Sequence, residues 1–340
     1  MLHFRRAIVR TCPALALLAC VAVAQEPQRQ ELRFTYAKDA VSWHRMSSVM
    51  AMQMDMFGQK IQTDVSIEMT MHTKIVEVLE SGSAKMERTV KRLQTKLSNP
   101  MMGEQLYDSD VKDADAGQMA DMAVLVGVTM KMEMDRRGQI KNVKFPPELE
   151  ERLSGQVSLD DLESMFAKES IVLPEQPVAI GETWKAENTM PLGGGMGEVK
   201  MAQENKLLSF ANGIAVIEQK VSFGEAQEME SPMGGTMKVT GQPAQGTVEL
   251  NLSAGRAEKT GTKMKLNMAG TGMNMDIDMD LQLVRIEEPK AGAKAPEPAP
   301  APAPGPKKGG GGQCASFADE LSAALAALES ASATARIARA

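Results

Sequence analysis

Between residues 31 and 287 apolar and polar side chains alternate with a period of two over long runs, the mark of strands with one buried and one wet face. In 44–57 the apolar positions are Met46, Met50, Met52, Met54 and Met56, with Arg45, Ser47, Gln53 and Asp55 between them. The stretch 61–79 repeats this with Ile61, Val65, Ile67, Met69, Met71, Ile75 and Leu79 against Gln62, Asp64, Glu68, His72 and Lys74. Val128, Met130, Met132 and Met134 oppose Lys131 and Glu133. Near the end, Met273, Met275, Ile277, Met279, Leu281 and Leu283 oppose Asn274, Asp276, Asp278 and Asp280. The three aspartates read as a wet strand face near Lys263 and Lys265 across a hairpin.

Gly58, Ser81-Gly82, Arg137-Gly138, Asn212-Gly213 and Ala254-Gly255 punctuate the runs. Connections this short join antiparallel neighbours, because a parallel return needs a dozen or more residues. Helical spacing is confined to about 113–168. It comprises Met119, Met122, Ala123 and Val126 after the acidic Asp113-Ala114-Asp115; Pro146-Pro147 opening toward Leu149 and Leu153; and Ser158 with Asp161 leading to Leu162, Met165 and Phe166. The expected fold is therefore mainly β with minor α: a large curved antiparallel sheet of roughly ten strands, a half-barrel or open barrel. Three short helices are expected to cover its concave face.

Such a cover is too small. Ten strands span about 48 Å, and a strand such as 44–57 runs about 45 Å, whereas a thirteen-residue helix is about 20 Å long and about 10 Å wide. The sheet must curl around its own apolar face or leave part of that face for a ligand or partner.

The flanks differ from this body. Arg5, Arg6 and Arg10 precede the apolar run Ala14–Ala24, and Ala22-Val23-Ala24 precedes Gln25, so residues 1–24 read as a signal peptide and the protein as exported to the periplasm or cell envelope, or beyond the cell. Leu17-Leu18-Ala19-Cys20 supports a competing reading, a lipid anchor on Cys20. Residues 25–287 form the β body. Residues 288–315 are a Pro/Ala- and Gly-rich linker, and 316–340 an Ala-rich tail that is at most a marginal helix. No later stretch reaches the eighteen apolar residues of a spanning helix.

Composition narrows the chemistry. With 38 basic and 44 acidic side chains the chain carries a net charge of −6, and the leader removes three arginines but no acid. Nucleic acid is not an expected partner. Cys12, Cys20 and Cys314 include two leader cysteines, so no internal disulfide is expected in the mature chain. His44 and His72 sit in strands without ligand-spaced neighbours, and Asp108–Asp115 places Lys112 where an EF-hand needs an oxygen. Gly193-Gly194-Gly195 lacks the Lys-Ser/Thr of a phosphate loop, and no nucleophile elbow occurs. No cofactor, metal or catalytic set is expected.

What stands out is 28 methionines against 12 aromatic residues, the latter being two Trp, two Tyr and eight Phe. A flexible thioether wall repacks around varied apolar shapes such as acyl chains. The expected ligand contacts are Met50, Met52, Met54, Met69, Met71, Met130, Met132, Met275 and Met279. The bland alternative is that methionine fills a core poor in Phe and Tyr. A further one is thioether binding of Cu(I) at Met52-Gln53-Met54-Asp55-Met56, Met69-Thr70-Met71 and Met130-Lys131-Met132-Glu133-Met134.

Leu32-Arg33-Phe34, Tyr107-Asp108-Ser109, Leu173-Pro174 with Pro177-Val178 and Gly181-Glu182-Thr183-Trp184, and Gly246-Thr247-Val248 leading to Ala254-Gly255-Arg256 together resemble an uncharacterised domain family of secreted bacterial proteins. The resemblance spans about 31–287 and carries no activity. Its general look is similar to lipoprotein-carrier proteins of the bacterial envelope, which implies an open half-barrel whose mouth is plugged by helices and whose hollow holds acyl chains. The expected function is a non-catalytic exported envelope protein binding a lipid or a lipoprotein's acyl chain. The alternative is a structural or interaction scaffold using the linker and tail.

Overall fold

The computed structural model describes residues 28–289, apart from 57, 102, 113, 116–119, 154–158, 168–170, 192–197, 231–234 and 271–272. The expected leader with Cys20, the linker from 290, the tail with Cys314, and Asp113, Met119, Ser158 and Gly193–Gly195 lie outside the described residues.

Among the described residues thirteen strands form one antiparallel sheet, more than the roughly ten expected. They are β1 Val41–Met56, β2 Gln59–Val78, β3 Ala84–Asn99, β4 Gly103–Asp108, β5 Thr129–Met134, β6 Ile140–Lys144, β7 Thr183–Pro191, β8 Glu198–Ala211, β9 Ile214–Phe223, β10 Gln227–Glu230, β11 Thr236–Asn251, β12 Arg256–Gly270 and β13 Met273–Ile286. Their order is β6-β5-β3-β2-β1-β13-β12-β11-β9-β8-β7, with β4 also on β3 and β10 also on β11. The first and last strands pair in the middle, from Trp43 opposite Ile286 to Met56 opposite Met273. The end holding Val41 and Ile286 is termed proximal, and the end at the Gly58 turn distal.

The edge strands β6 and β7 do not pair, so the sheet is not a closed barrel. It is nevertheless curled. Helix α2 (Leu159–Ala167) packs on both β6 and β7, and one buried cluster joins Met130 and Val143 of one arm to Leu207 and Ile217 of the other. A strap closes the proximal end: Phe34 N donates to Arg136 O at 2.8 Å and Thr35 N to Leu252 O at 2.8 Å, tying the two arms together. Tyr36 donates its hydroxyl to Asp135 O at 2.8 Å. The β11–β12 hairpin at Ala254-Gly255-Arg256 forms as expected; Gly255 has φ +63°, and a Cβ there would lie 2.6 Å from the Tyr36 ring.

The expected three-helix cover is not found. Among the described residues α2 is the one α-helix longer than a single turn. The Met122–Val126 segment gives only the single turn α1, Ala120–Ala123, because Leu125 and Val126 make i+3 turn bonds and the chain then bridges β3 through Gly127 N to Val90 O at 2.8 Å. After Pro146 the chain forms a 3-10 turn, Pro147–Arg152, that buries Leu149. Phe166 of α2 meets Phe145 edge-on at 5.7 Å, so the helix bridges the two edges and joins the proximal cluster with Met130 and Met132, leaving the distal Met-bearing face uncovered. The convex face is wet: Lys265 pairs with Asp278 at 2.7 Å and Lys263 with Asp280 at 3.1 Å, as the alternation implied.

Candidate functional site

Residues directly opposite in a sheet share a face, as do residues two apart on one strand. Met275 lies opposite Met54 and Met279 opposite Met50; Met50 lies opposite Val65 and Met46 opposite Met69; Met71 lies opposite Val90; Arg88 and Met86 lie opposite Met130 and Met132. These links place Met50, Met52, Met54, Met69, Met71, Met130, Met132, Met275 and Met279 on the concave face together. Three-strand rows such as Met54–Met275–Met268 and Met50–Met279–Met264 set thioethers side by side.

Packing divides the nine. Met69, Met71, Met130 and Met132 are buried, with Met130 fully so. Met50, Met52, Met275 and Met279 are half-buried against a second, distal cluster containing Met237, Met264, Met268 and Phe223. Met54 is half-buried farther toward the distal end.

A cavity of about 450 Å³ lies within the curl. Met46, Met71, Ile75 and Met86 line it from one arm, Met201 and Val221 from the other, and Phe34 and Ile140 line its proximal end. Met71 alone of the nine expected contacts lines it; among the described residues Met46, Met86, Met134, Met201 and Met264 are the other thioethers that do. Alternation identifies the face these residues occupy. Which of them meet across the hollow depends on the curl, which brings Met71 and Met201 to one space.

Polar groups interrupt the walls. Arg88 donates through Nε to Thr73 Oγ1 at 3.3 Å. His44 is buried, its Nε2 2.9 Å from Ala257 O, a bond donated by the Nε2–H tautomer. His72 faces the convex side, its ring 4.8 Å from that of Trp43; burial first, with nearby Lys91, holds its pKa below the ordinary value. The two histidines thus share no site.

A register row crosses the whole concave face between the proximal and distal clusters: Tyr107, Thr95, Ile67, Ser48, Leu281, Thr262, Gly246, Gln219, Asn205 and Trp184. Thr95, Ser48 and Asn205 are buried. Gly246 is required here, since a Cβ would stand 2.4 Å from Gly261 O and 2.6 Å from Thr262 Oγ1. Thr262 donates to Gln219 Oε1 at 3.4 Å and Gln203 Nε2 to Asn205 Oδ1 at 2.9 Å. Sequence reasoning passed over Gln203, Asn205 and Gln219. The available signal was the run Val199, Met201, Gln203, Asn205, Leu207, where two amides replace apolar residues on an inward face.

Residues 147–283 match the model of a family of unknown function, DUF6263. That match is narrower than the span 31–287 of the resemblance. No curated protein matches the chain. Among solved structures, lipovitellin, described for its lipid–protein interactions, is similar over 78% of this chain at 10% identity and a TM-score of 0.45; this chain spans 27% of it. A putative outer membrane lipoprotein-sorting protein domain from Vibrio parahaemolyticus aligns over 74% of this chain and 87% of its own, at 11% identity and a TM-score of 0.17. The translocator domain of the autotransporter NalP from Neisseria meningitidis aligns over 72% and 88%, at 6% identity and a TM-score of 0.27.

Proposed function

We propose that the chain is a non-catalytic binding protein of the bacterial cell envelope that holds a lipid or acyl chain in the Met-lined hollow of its open sheet. The cavity of about 450 Å³ carries this reading. It is within the range of small-ligand pockets, roughly 300–1,000 Å³, and its thioether walls adapt to flexible chains without a fixed partner shape. The half-buried Met50, Met52, Met275 and Met279 extend the apolar surface distally, where a chain longer than the cavity can rest. The leader-like segment 1–24 supports export, and the scarcity of histidine and cysteine in the body supports a role without catalysis.

Native mass spectrometry of protein purified from its own envelope, paired with titration by a fluorescent fatty acid, tests the reading. The expected result is a co-purified lipid mass or saturable uptake at one site. Met264→Trp, which fills the hollow, is expected to weaken uptake about tenfold. Uniformly ligand-free protein that also takes up no fatty acid contradicts the proposal.

A further inference from the structure

The hollow is mainly apolar, and polar side chains enter it at two levels: His44, Thr73, Arg88 and Arg256 toward the proximal end, and an uncharged group in its middle. Gln203, Gln219 and Thr262 line the cavity between Leu250 on the proximal side and Met201 and Met264 on the distal side. Their hydrogen bonds leave donors over. Gln219 accepts from Thr262 through Oε1, and among the described residues no protein acceptor takes its Nε2. Beside it Asn205 is 0% exposed, its Oδ1 is used by Gln203, and its Nδ2 has no partner. Buried amides are ordinarily paired; Asn205 lies behind the lining, and the donor open to the hollow is that of the half-buried Gln219, which points to an acceptor that comes from outside the chain. These donors are uncharged. They suit a neutral carbonyl oxygen better than an ionised head, which gains more from a cation.

We propose, building on the lipid-binding reading above, that this row is a carbonyl subsite: a bound lipid rests its ester or amide carbonyl on Gln219, next to Gln203 and Asn205, with apolar segments extending both ways. The ligand class is then an amphiphile whose polar linkage lies within the molecule, between two hydrocarbon parts.

The test uses the full chain and displacement of a fluorescent fatty acid by three competitors of equal length: a long-chain ester with its carbonyl near the middle, the free acid, and the plain hydrocarbon. Two variants accompany the wild type. Gln219→Leu removes the donor, and Gln219→Glu keeps the size but, when ionised, accepts only. The expected result is that the ester displaces the probe best, that both variants lose about tenfold for the ester, and that the hydrocarbon is unaffected by Gln219→Leu. Equal displacement by ester and hydrocarbon, unchanged in both variants, overturns the subsite and leaves the carrier reading standing. Failure of the wild type to bind the fluorescent probe or any competitor overturns the carrier reading itself, and the subsite with it.

Discussion

At the proximal end the concave face is covered twice, first by the strap carrying Leu32, Phe34 and Tyr36 and then by α2 and the 3-10 turn, so that Met130, Leu207 and Ile217 have no exposure. At the distal end the same strands carry a single layer. Met50, Met52, Met273, Met275 and Met279 pack against Met264 and Met268 but stay half-buried. The aromatic side chains follow this division: Phe34, Tyr36, Phe145 and Phe166 are proximal, and Phe223 stands among methionines distally. Rigid rings specify a fixed core, whereas thioethers tolerate change in what they touch. One end therefore supplies stability, and the other an adaptable surface, with the polar row between them.

The largest effect expected from this contrast comes from Phe34→Ala, which strips the strap's anchor beneath 4% exposure and should cost about 3–5 kcal/mol in urea denaturation. Met275→Ala at the distal end should cost about 1 kcal/mol or less, because a half-exposed side chain loses little buried area. Equal losses would break the comparison.

Gly246→Ala tests the boundary between the two regions. The added methyl would meet Gly261 O and Thr262, and overpacking of this kind costs about 1–3 kcal/mol. A shift in the urea midpoint within that range is expected; a neutral substitution would mean that β11 and β12 are farther apart at this row.

Oxidation sharpens the contrast without mutation. Dilute hydrogen peroxide should convert Met50, Met275 and Met279 to sulfoxides before Met69, Met71 and Met130, as read by peptide mass mapping. Bound lipid should slow the distal group. Indiscriminate oxidation would contradict the difference in burial.

The smallest effect lies on the convex side. Burial pushes the Asp108 carboxyl up, but hydrogen bonds from Arg92, from the Asp110 N–H and from Gln94 outweigh it and hold its pKa below the ordinary carboxylate value. A depressed folded pKa contributes stability that is present above the unfolded value and lost as pH falls through the folded one. Urea midpoints should therefore drop below about pH 4, and Asp108→Asn should flatten that part of the profile while leaving lipid uptake unchanged.

Much of this architecture was legible in the alternation. The faces of β1, β2, β5 and β13 and the nine methionines they carry were readable residue by residue, because period two leaves only one choice of face once a strand is placed. The helices were not. Met122, Ala123 and Val126 have helical spacing, but burial of Leu125 and Val128 against β3 draws that segment into turns and an extended bridge. The cavity was legible only in kind. Met201 and Met264 line one space with Met46 and Met71 because the long sheet curls, and no local pattern encodes that curl.

Methyl-labelled methionine spectra recorded with a spin-labelled fatty acid show whether the concave thioethers, and not the rest of the surface, receive a hydrocarbon chain. Broadening is expected first at Met46, Met71, Met201 and Met264, with the distal Met50 and Met279 following as the chain extends. Unbroadened methyls at those positions, or broadening confined to the exposed Met101 on the β3–β4 turn, would contradict it.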